Sequence, residues 1–205
     1  MATFDNRIYL ASRSPRRREL LKQIGVAYEL LLYREDARRG PDVDERPEPA
    51  EAASDYVLRV ARSKAETAWR RVTERKLPHR PVLAADTAVV LDERILGKPA
   101  GREQAAEMLS QLSDRVHQVL TAVAVHDGNA LKTALSASEV EFRELSAQEI
   151  RRYLAGAEAY DKAGAYAVQG RAAVYIRRLS GSYSGVVGLP LYETAELLRE
   201  FGIEP

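Results

Sequence analysis

Apolar residues in this chain follow two rhythms, short unbroken runs and repeats every three to four positions, and their succession predicts a series of strands and helices. Residues 8–11 form a short apolar run with a β-branched and an aromatic residue and read as a buried strand. Ser14 is placed to cap a helix that opens at Pro15, where the missing N–H costs nothing. Leu20, Leu21 and Ile24 share one face of that helix, and Gly25 ends it. Residues 26–33 read as a second strand, and residues 34–49, charged and holding three prolines, as a surface loop. Residues 50–72 read as a long helix with Val57, Val60, Ala61 and Ala68 on its apolar stripe. The most apolar stretch, residues 81–91, reads as a central strand with Asp86 in its middle or at a kink, followed by a turn at Asp92-Glu93. A helix over 103–112 and two paired strands over 116–126 and 131–142, turning at Asp127-Gly128-Asn129, come next. Ser146 and Glu149 have capping-box spacing for a short helix running to about Leu154. Residues 161–170 suit a loop that approaches a ligand closely. Residues 172–178 read as a strand, 181–185 as a turn and 191–201 as a last helix.

Composition narrows the class. The 205 residues suit one domain, and 45% hydrophobic content is enough for a real core. A formal net charge of +1 argues against broad, sequence-independent nucleic-acid binding, so no stable nucleic-acid partner is expected. The absence of cysteine removes disulfide frameworks, thiol catalysis and cysteine zinc sites, and is compatible with a reducing cytoplasm. No apolar run approaches membrane-spanning length, and residues 1–6 lack the apolar core of a secretory signal, so a cytoplasmic location is expected.

The candidate chemistry begins at the first helix. A strand–turn–helix unit offers free backbone N–H groups to an anion, and this one also carries Arg13, Arg16, Arg17 and Arg18. Two readings fit the spacing: a phosphate-binding turn, or an amphipathic helix with a solvated basic face. Lys64 falls on the apolar stripe of the long helix, where it either snorkels to solvent or meets a buried anion. Asp86 interrupts an apolar strand, where an ionised carboxylate is costly unless donors or a cation meet it; otherwise it caps a turn between two short strands. Gly97-Lys98-Pro99 lacks the spacing of a P-loop, and the glycines of residues 181–188 do not match a dinucleotide fingerprint. His79, His117 and His126 are scattered, which argues against a zinc hydrolase, and no nucleophile-elbow motif supports Ser-His-Asp catalysis. Arginines at a helix start, lysines in unusual places and a strand aspartate are the parts a polyphosphate held by Mg²⁺ or Mn²⁺ needs.

Six segments in order carry a family resemblance: Ser12-Arg13-Ser14-Pro15-Arg16-Arg17, Ala61-Arg62-Ser63-Lys64-Ala65, Ala85-Asp86-Thr87, Gly97-Lys98-Pro99, Asp161-Lys162-Ala163-Gly164-Ala165-Tyr166 and Gly188-Leu189-Pro190. Together they resemble the Maf family of nucleotide pyrophosphatases over nearly the whole chain. The resemblance implies an α/β fold related to the inosine-triphosphate pyrophosphatases, a mixed sheet flanked by helices, in one domain over residues 1–205 whose two lobes enclose a cleft. It implies metal-dependent hydrolysis of a nucleoside triphosphate to monophosphate and pyrophosphate, and residues 161–170 are similar to the branch acting on dTTP and UTP. Carried over by motif, Asp86 is the catalytic base or metal-linked carboxylate. Glu45 matches an acidic position nineteen residues before the family's helix lysine and joins Asp86 as a metal ligand for Mg²⁺ or Mn²⁺. Arg16, Thr87 and Gln169 match positions tied to substrate choice, and Ser12, Arg17, Lys64 and Lys98 match the phosphate-handling set. Dimerisation is suggested only through the family. The competing expectation is a nucleic-acid- or protein-binding regulator of cell division that uses the arginines between Arg13 and Arg18.

Overall fold

The computed structural model describes residues 6–32, 35–36 and 40–205. The end of the predicted second strand at Tyr33, and Arg34 and residues 37–39 of the predicted loop, lie outside the described residues. The chain opens with β1 (Arg7–Leu10), α1 (Pro15–Gln23) and β2 (Ala27–Leu30), then a minimal antiparallel pair, β3 (Glu35–Asp36) and β4 (Gly40–Pro41). A long α2 (Ala53–Glu74) leads to β5 (Val82–Leu91), β6 (Arg94–Leu96), α3 (Arg102–Leu112), β7 (Val116–His126), β8 (Leu131–Phe142) and α4 (Ala147–Tyr153). Two 3₁₀ turns precede β9 (Ile176–Ser180), and α5 (Tyr183–Val187) and α6 (Leu191–Arg199) close the chain. None of the described helices is long and apolar enough to cross a membrane.

Seven strands form one mixed sheet in the order β2-β1-β5-β7-β8-β9, with β6 added beside β5. β1 pairs in parallel with β2 and β5, as a strand–helix–strand crossover requires, and the remaining pairings are antiparallel. Alternation along β5 sorts its side chains. Val82, Ala84, Ala88 and Val90 join a cluster with Val57, Val60, Ala61, Ala65, Ala68 and Val72 of α2. Leu83 and Ala85 join Ile8, Leu10, Leu20, Leu21, Leu197 and Leu198 on the opposite face, under α1 and α6. A third cluster gathers α3, α4 and Phe142 around Val89 and Leu91 at the far end of β5.

One edge of β5 changes partner midway. Tyr9 and Leu10 pair with Val82 and Leu83, whereas Leu96, Ile95 and Arg94 of β6 pair with Val89, Val90 and Leu91. Between these two short pairings, residues 84–88 have β7 on one side and no strand on the other. Asp86 lies in the middle of that gap.

The second strand shortens to Ala27–Leu30 and the last helix ends at Arg199, and three further boundaries move for a local reason. The long helix starts at Ala53 rather than at residue 50, because Ala50 has φ +60°, outside the helical region. The strand predicted over 172–178 is instead a 3₁₀ turn, Arg171–Tyr175, followed by β9. Ala172 and Tyr175 are its buried residues, three apart, which is 3₁₀ spacing rather than strand alternation, and Ala173 N–H donates to the Gly170 carbonyl. The turn predicted over 181–185 contains the start of α5, capped by Ser182 Oγ, which accepts from the Gly185 N–H. Gly185 reads as a turn former in sequence but serves close packing, since a Cβ there would lie 3.3 Å from Ser136 Oγ. The capping box at Ser146 and Glu149 forms as expected.

His117 of β7 is buried, with its ring edge-on to Phe142 and Tyr166. Its Nε2 lies 2.8 Å from the Tyr166 hydroxyl, and its Nδ1 finds no hydrogen-bond partner among the described residues. Burial lowers its pKa from 6.5 to about 4. Between those values the unfolded chain binds a proton that the folded chain refuses, so this contribution is complete above pH 6.5 and drains away as the pH falls toward 4. The shift corresponds to about 3 kcal/mol at most. Thermal melts should therefore show Tm falling through that window, and His117→Phe should flatten the slope there. Parallel profiles for the two proteins would contradict this account.

Candidate active site

The turn between β1 and α1 is organised by serines and one arginine. Ser12 Oγ accepts from the Ser14 N–H at 3.2 Å, and Ser14 Oγ caps α1 by accepting from the Arg17 N–H at 3.5 Å. Arg17 then turns its guanidinium into the gap beside β5. The carbonyls of Pro81 and Leu83 point toward β1 and are taken by Tyr9 and Ala11 N–H groups. The next carbonyl on that edge, Ala85, has no strand to meet and accepts from Arg17 Nη1 at 2.8 Å. Arg17 Nε donates to the Gly188 carbonyl at 2.7 Å, Nη2 to Thr87 Oγ1 at 3.2 Å, and Nη1 also to Ser12 Oγ at 3.4 Å. The planar fork of arginine supplies this divergent set, which a single ammonium cannot. Gly188 has φ +127°, a backbone conformation suited to glycine. Thr87 is also cross-strand neighbour to Thr121, with the two hydroxyls 3.0 Å apart, and Thr121 donates to the Gly185 carbonyl at 2.8 Å.

On the opposite face of the sheet, Asp86 points at α2. Lys64 Nζ lies 2.7 Å from Asp86 Oδ1 and 2.9 Å from Glu45 Oε1. Lys64 and Asp86 are both buried, while the Glu45 side chain is 43% exposed. A buried ammonium and carboxylate at this distance answer the question the sequence left open: Lys64 meets a buried anion instead of snorkelling, and Asp86 sits within an unbroken strand. One ammonium with two carboxylates leaves a formal surplus of one negative charge. These hard oxygen donors fit Mg²⁺ or Mn²⁺, which bind through one or two carboxylates and complete their shells with water and phosphate oxygens. Among the described residues there is no cluster of three or more His, Cys, Asp or Glu that could hold a metal by itself.

Of the remaining predicted residues, Lys98 lies just past the end of β6. The Gly164 N–H donates to the Gly97 carbonyl at 3.1 Å, which ties the turn holding Lys98 to the segment that runs from Asp161 to Tyr166. Gly164 has φ +66°, and a Cβ there would stand 2.9 Å from Val89, so glycine is required both by conformation and by space. Arg16 is partly buried, and this burial lowers its pKa against the opposing pull of Asp161, Glu158 and Glu19. Glu158 accepts from the Tyr153 hydroxyl at 2.8 Å and the Arg171 N–H at 3.1 Å and so anchors the turn that holds Gln169. Lys98 and Gln169 are exposed. The structure thus joins Ser12, Arg17 and Thr87 in one network and Lys64, Asp86 and Glu45 in another. No hydrogen bond or ion pair among the described residues links Arg16, Lys98 or Gln169 to either.

The matching sequence family is described as Maf-like protein, and its profile covers residues 7–201 of this chain. The chain belongs to the Maf family. Its relatives include proteins named dTTP/UTP pyrophosphatase from Nitrosospira multiformis, 61% identical over 203 residues (99% of this chain and 98% of the relative), and Aromatoleum aromaticum, 55% identical over 203 residues (98% of each). A third protein of that name, from Nitrosomonas europaea, is 56% identical over 198 residues, covering 97% of this chain and 96% of its own. The solved structure of the Staphylococcus aureus Ham1 protein aligns with a TM-score of 0.50 at 16% identity, over 95% of this chain and 97% of that one, and shares the fold. The mixed α/β sheet expected of a Maf protein is the one observed.

Sequence reading missed four participants at this Maf site. Thr121 is invisible without the strand register that sets it opposite Thr87. The Gly188 carbonyl carries no side-chain signal at all. Tyr56 and Arg59 of α2, whose side chains donate to the carbonyls of Glu45 and Arg46, are the other two; Tyr56 alone had a clue, since it is spaced by four from Val60 and Lys64 and shares their face.

Proposed function

We propose that this protein hydrolyses dTTP and UTP to the nucleoside monophosphate and pyrophosphate. The observation that carries the reading is the buried Lys64–Asp86 pair, 2.7 Å long, beside the strand gap that Arg17 braces. The names of the full-length relatives support the same substrates. In this reading the nucleotide lies in the cleft between two lobes of the single domain, at the open edge of β5. Adjacent strand residues point to opposite faces, so Asp86 and Thr87 can serve one ligand only from that edge.

Water attacks the α-phosphorus, the bond from it to the bridging oxygen breaks, and pyrophosphate leaves. Asp86 accepts the proton of the attacking water. Lys64 offsets charge on the phosphates, assisted by Ser12, Arg17 and Lys98. Asp86 and Glu45 would hold the divalent cation, which supplies charge neutralisation for the polyphosphate when bound. Arg16, Thr87 and Gln169 choose the base and sugar. A homodimer is part of the same reading.

The test is a panel of nucleoside triphosphates with Mg²⁺ or Mn²⁺, scored for monophosphate and pyrophosphate. dTTP and UTP should be cleaved at least about tenfold better, in kcat/KM, than purine nucleotides, a modest preference for a site that hydrogen-bonds its base. Release of orthophosphate instead of pyrophosphate, or inactivity toward every nucleotide, would refute it.

A further inference from the structure

Glu45 is the least securely built member of the Lys64 cluster: it belongs to no helix or strand, and its side chain is 43% exposed. Two residues of α2 nevertheless fix the backbone that bears it. The Tyr56 hydroxyl donates to the Glu45 carbonyl at 2.9 Å. One turn along the helix, Arg59 Nη2 donates to the Arg46 carbonyl at 3.0 Å, while its Nε and Nη2 grip the Glu51 carboxylate at 2.6 and 2.8 Å. The main chain is therefore pinned at Glu45 itself and on its C-terminal side. Tyr56 is buried, and that burial, with the charges of Asp86 and Glu45 close by, pushes its pKa up to about 12. It therefore stays a neutral donor at every physiological pH.

We infer that Tyr56 and Arg59 are positioning residues that hold the Glu45 carboxylate against Lys64 Nζ, opposite Asp86. They touch no reacting group; their effect passes through Glu45. The catalytic part of this inference rests on the proposed pyrophosphatase reading, but the geometric part does not. Lysine side chains on a helix lean toward its N-terminus, so Lys64 extends along α2 in the direction of Arg59 and Tyr56, and its Nζ meets the Glu45 carboxylate at 2.9 Å. Among the described residues, Glu45 itself is met by the Tyr56 hydroxyl at its carbonyl and by Lys64 Nζ at its carboxylate.

The test combines amide hydrogen exchange with a double-mutant cycle. Tyr56→Phe keeps the ring and removes the donor; Arg59→Gln is the second variant, for use if the first fails to fold. In either variant, exchange over residues 44–51 should rise at least about fivefold while residues 60–72 stay protected; the fivefold floor is the effect of the single hydrogen bond lost in Tyr56→Phe, and Arg59→Gln loses more than one. Unchanged exchange over 44–51 would overturn the inference, whether or not the protein cleaves any nucleotide. With dTTP as substrate, Tyr56→Phe should lower kcat/KM about three- to tenfold in the otherwise unaltered protein and by less than about twofold in the Glu45→Ala background. Equal losses in both backgrounds would show a merely structural role and sink it. If the unaltered protein releases no pyrophosphate, the function reading fails, and the exchange measurement alone decides the tethers.

Discussion

Asp86→Asn should reduce pyrophosphate release from dTTP by about 10²–10⁴-fold, the range for loss of a positioned proton acceptor. The substitution preserves size and still offers Lys64 an oxygen at the present 2.7 Å. Lys64 also retains Glu45 at 2.9 Å, so the ammonium is not left buried without an anion. The stability cost should therefore stay near about 1–3 kcal/mol, as for a charged hydrogen bond exchanged for a neutral one. That is below the larger penalty of stranding a buried charge. Kinetics on a variant whose circular dichroism and melting match a folded protein separate the two effects. Turnover within about threefold of the parent by such a variant would strip Asp86 of its assigned role.

Arg17→Lys should be the most damaging conservative substitution in the chain. Arginine here donates at once to the carbonyls of Ala85 and Gly188 and to the hydroxyls of Ser12 and Thr87. An ammonium offers donors from one point, not from a plane that spans these acceptors. At least one buried carbonyl then goes unmet, and with the neighbouring losses the expected destabilisation is about 2–4 kcal/mol. For a chain of this size that lowers Tm by about 5–15 °C. Pyrophosphate release should fall as well, because Thr87 and the turn before α1 lose their common brace. A Tm within about 2 °C of the parent would contradict the brace. The same geometry bears on the alternative of a nucleic-acid-binding arginine run. Arg17 turns inward onto the carbonyls of Ala85 and Gly188 and the Thr87 hydroxyl, so the four arginines do not form one continuous basic face.

Much of this architecture could be read from residue order. The four-residue spacing along α2 put Lys64 on the buried stripe, and the apolar run around Asp86 marked a carboxylate in need of a partner; their meeting is the contact those two anomalies called for. The capping serines, Ser14 and Ser146, were likewise legible, because a cap depends only on residues three positions apart. What stayed hidden depends on distant segments. Which arginine of four turns inward is decided by the carbonyl of Ala85 and by a glycine 171 residues away. The pairing of Thr87 with Thr121 needs the strand register. The 3₁₀ turn over Arg171–Tyr175 reads as a strand in sequence because apolar content alone does not distinguish a period of three from a period of two.

The shared edge of β5 also constrains how this protein can change length. Ala85, Asp86 and Thr87 are consecutive, and their three side chains go to alternate sides of the sheet. Deleting or inserting one residue between Val82 and Ala85 would exchange the sides, sending the carboxylate toward Arg17 and the hydroxyl toward Lys64. Point substitutions in this strand can be graded by size and polarity, but single-residue indels there would turn the site inside out. Variation in chain length should therefore collect elsewhere, in turns such as that between β7 and β8, where no such parity is at stake.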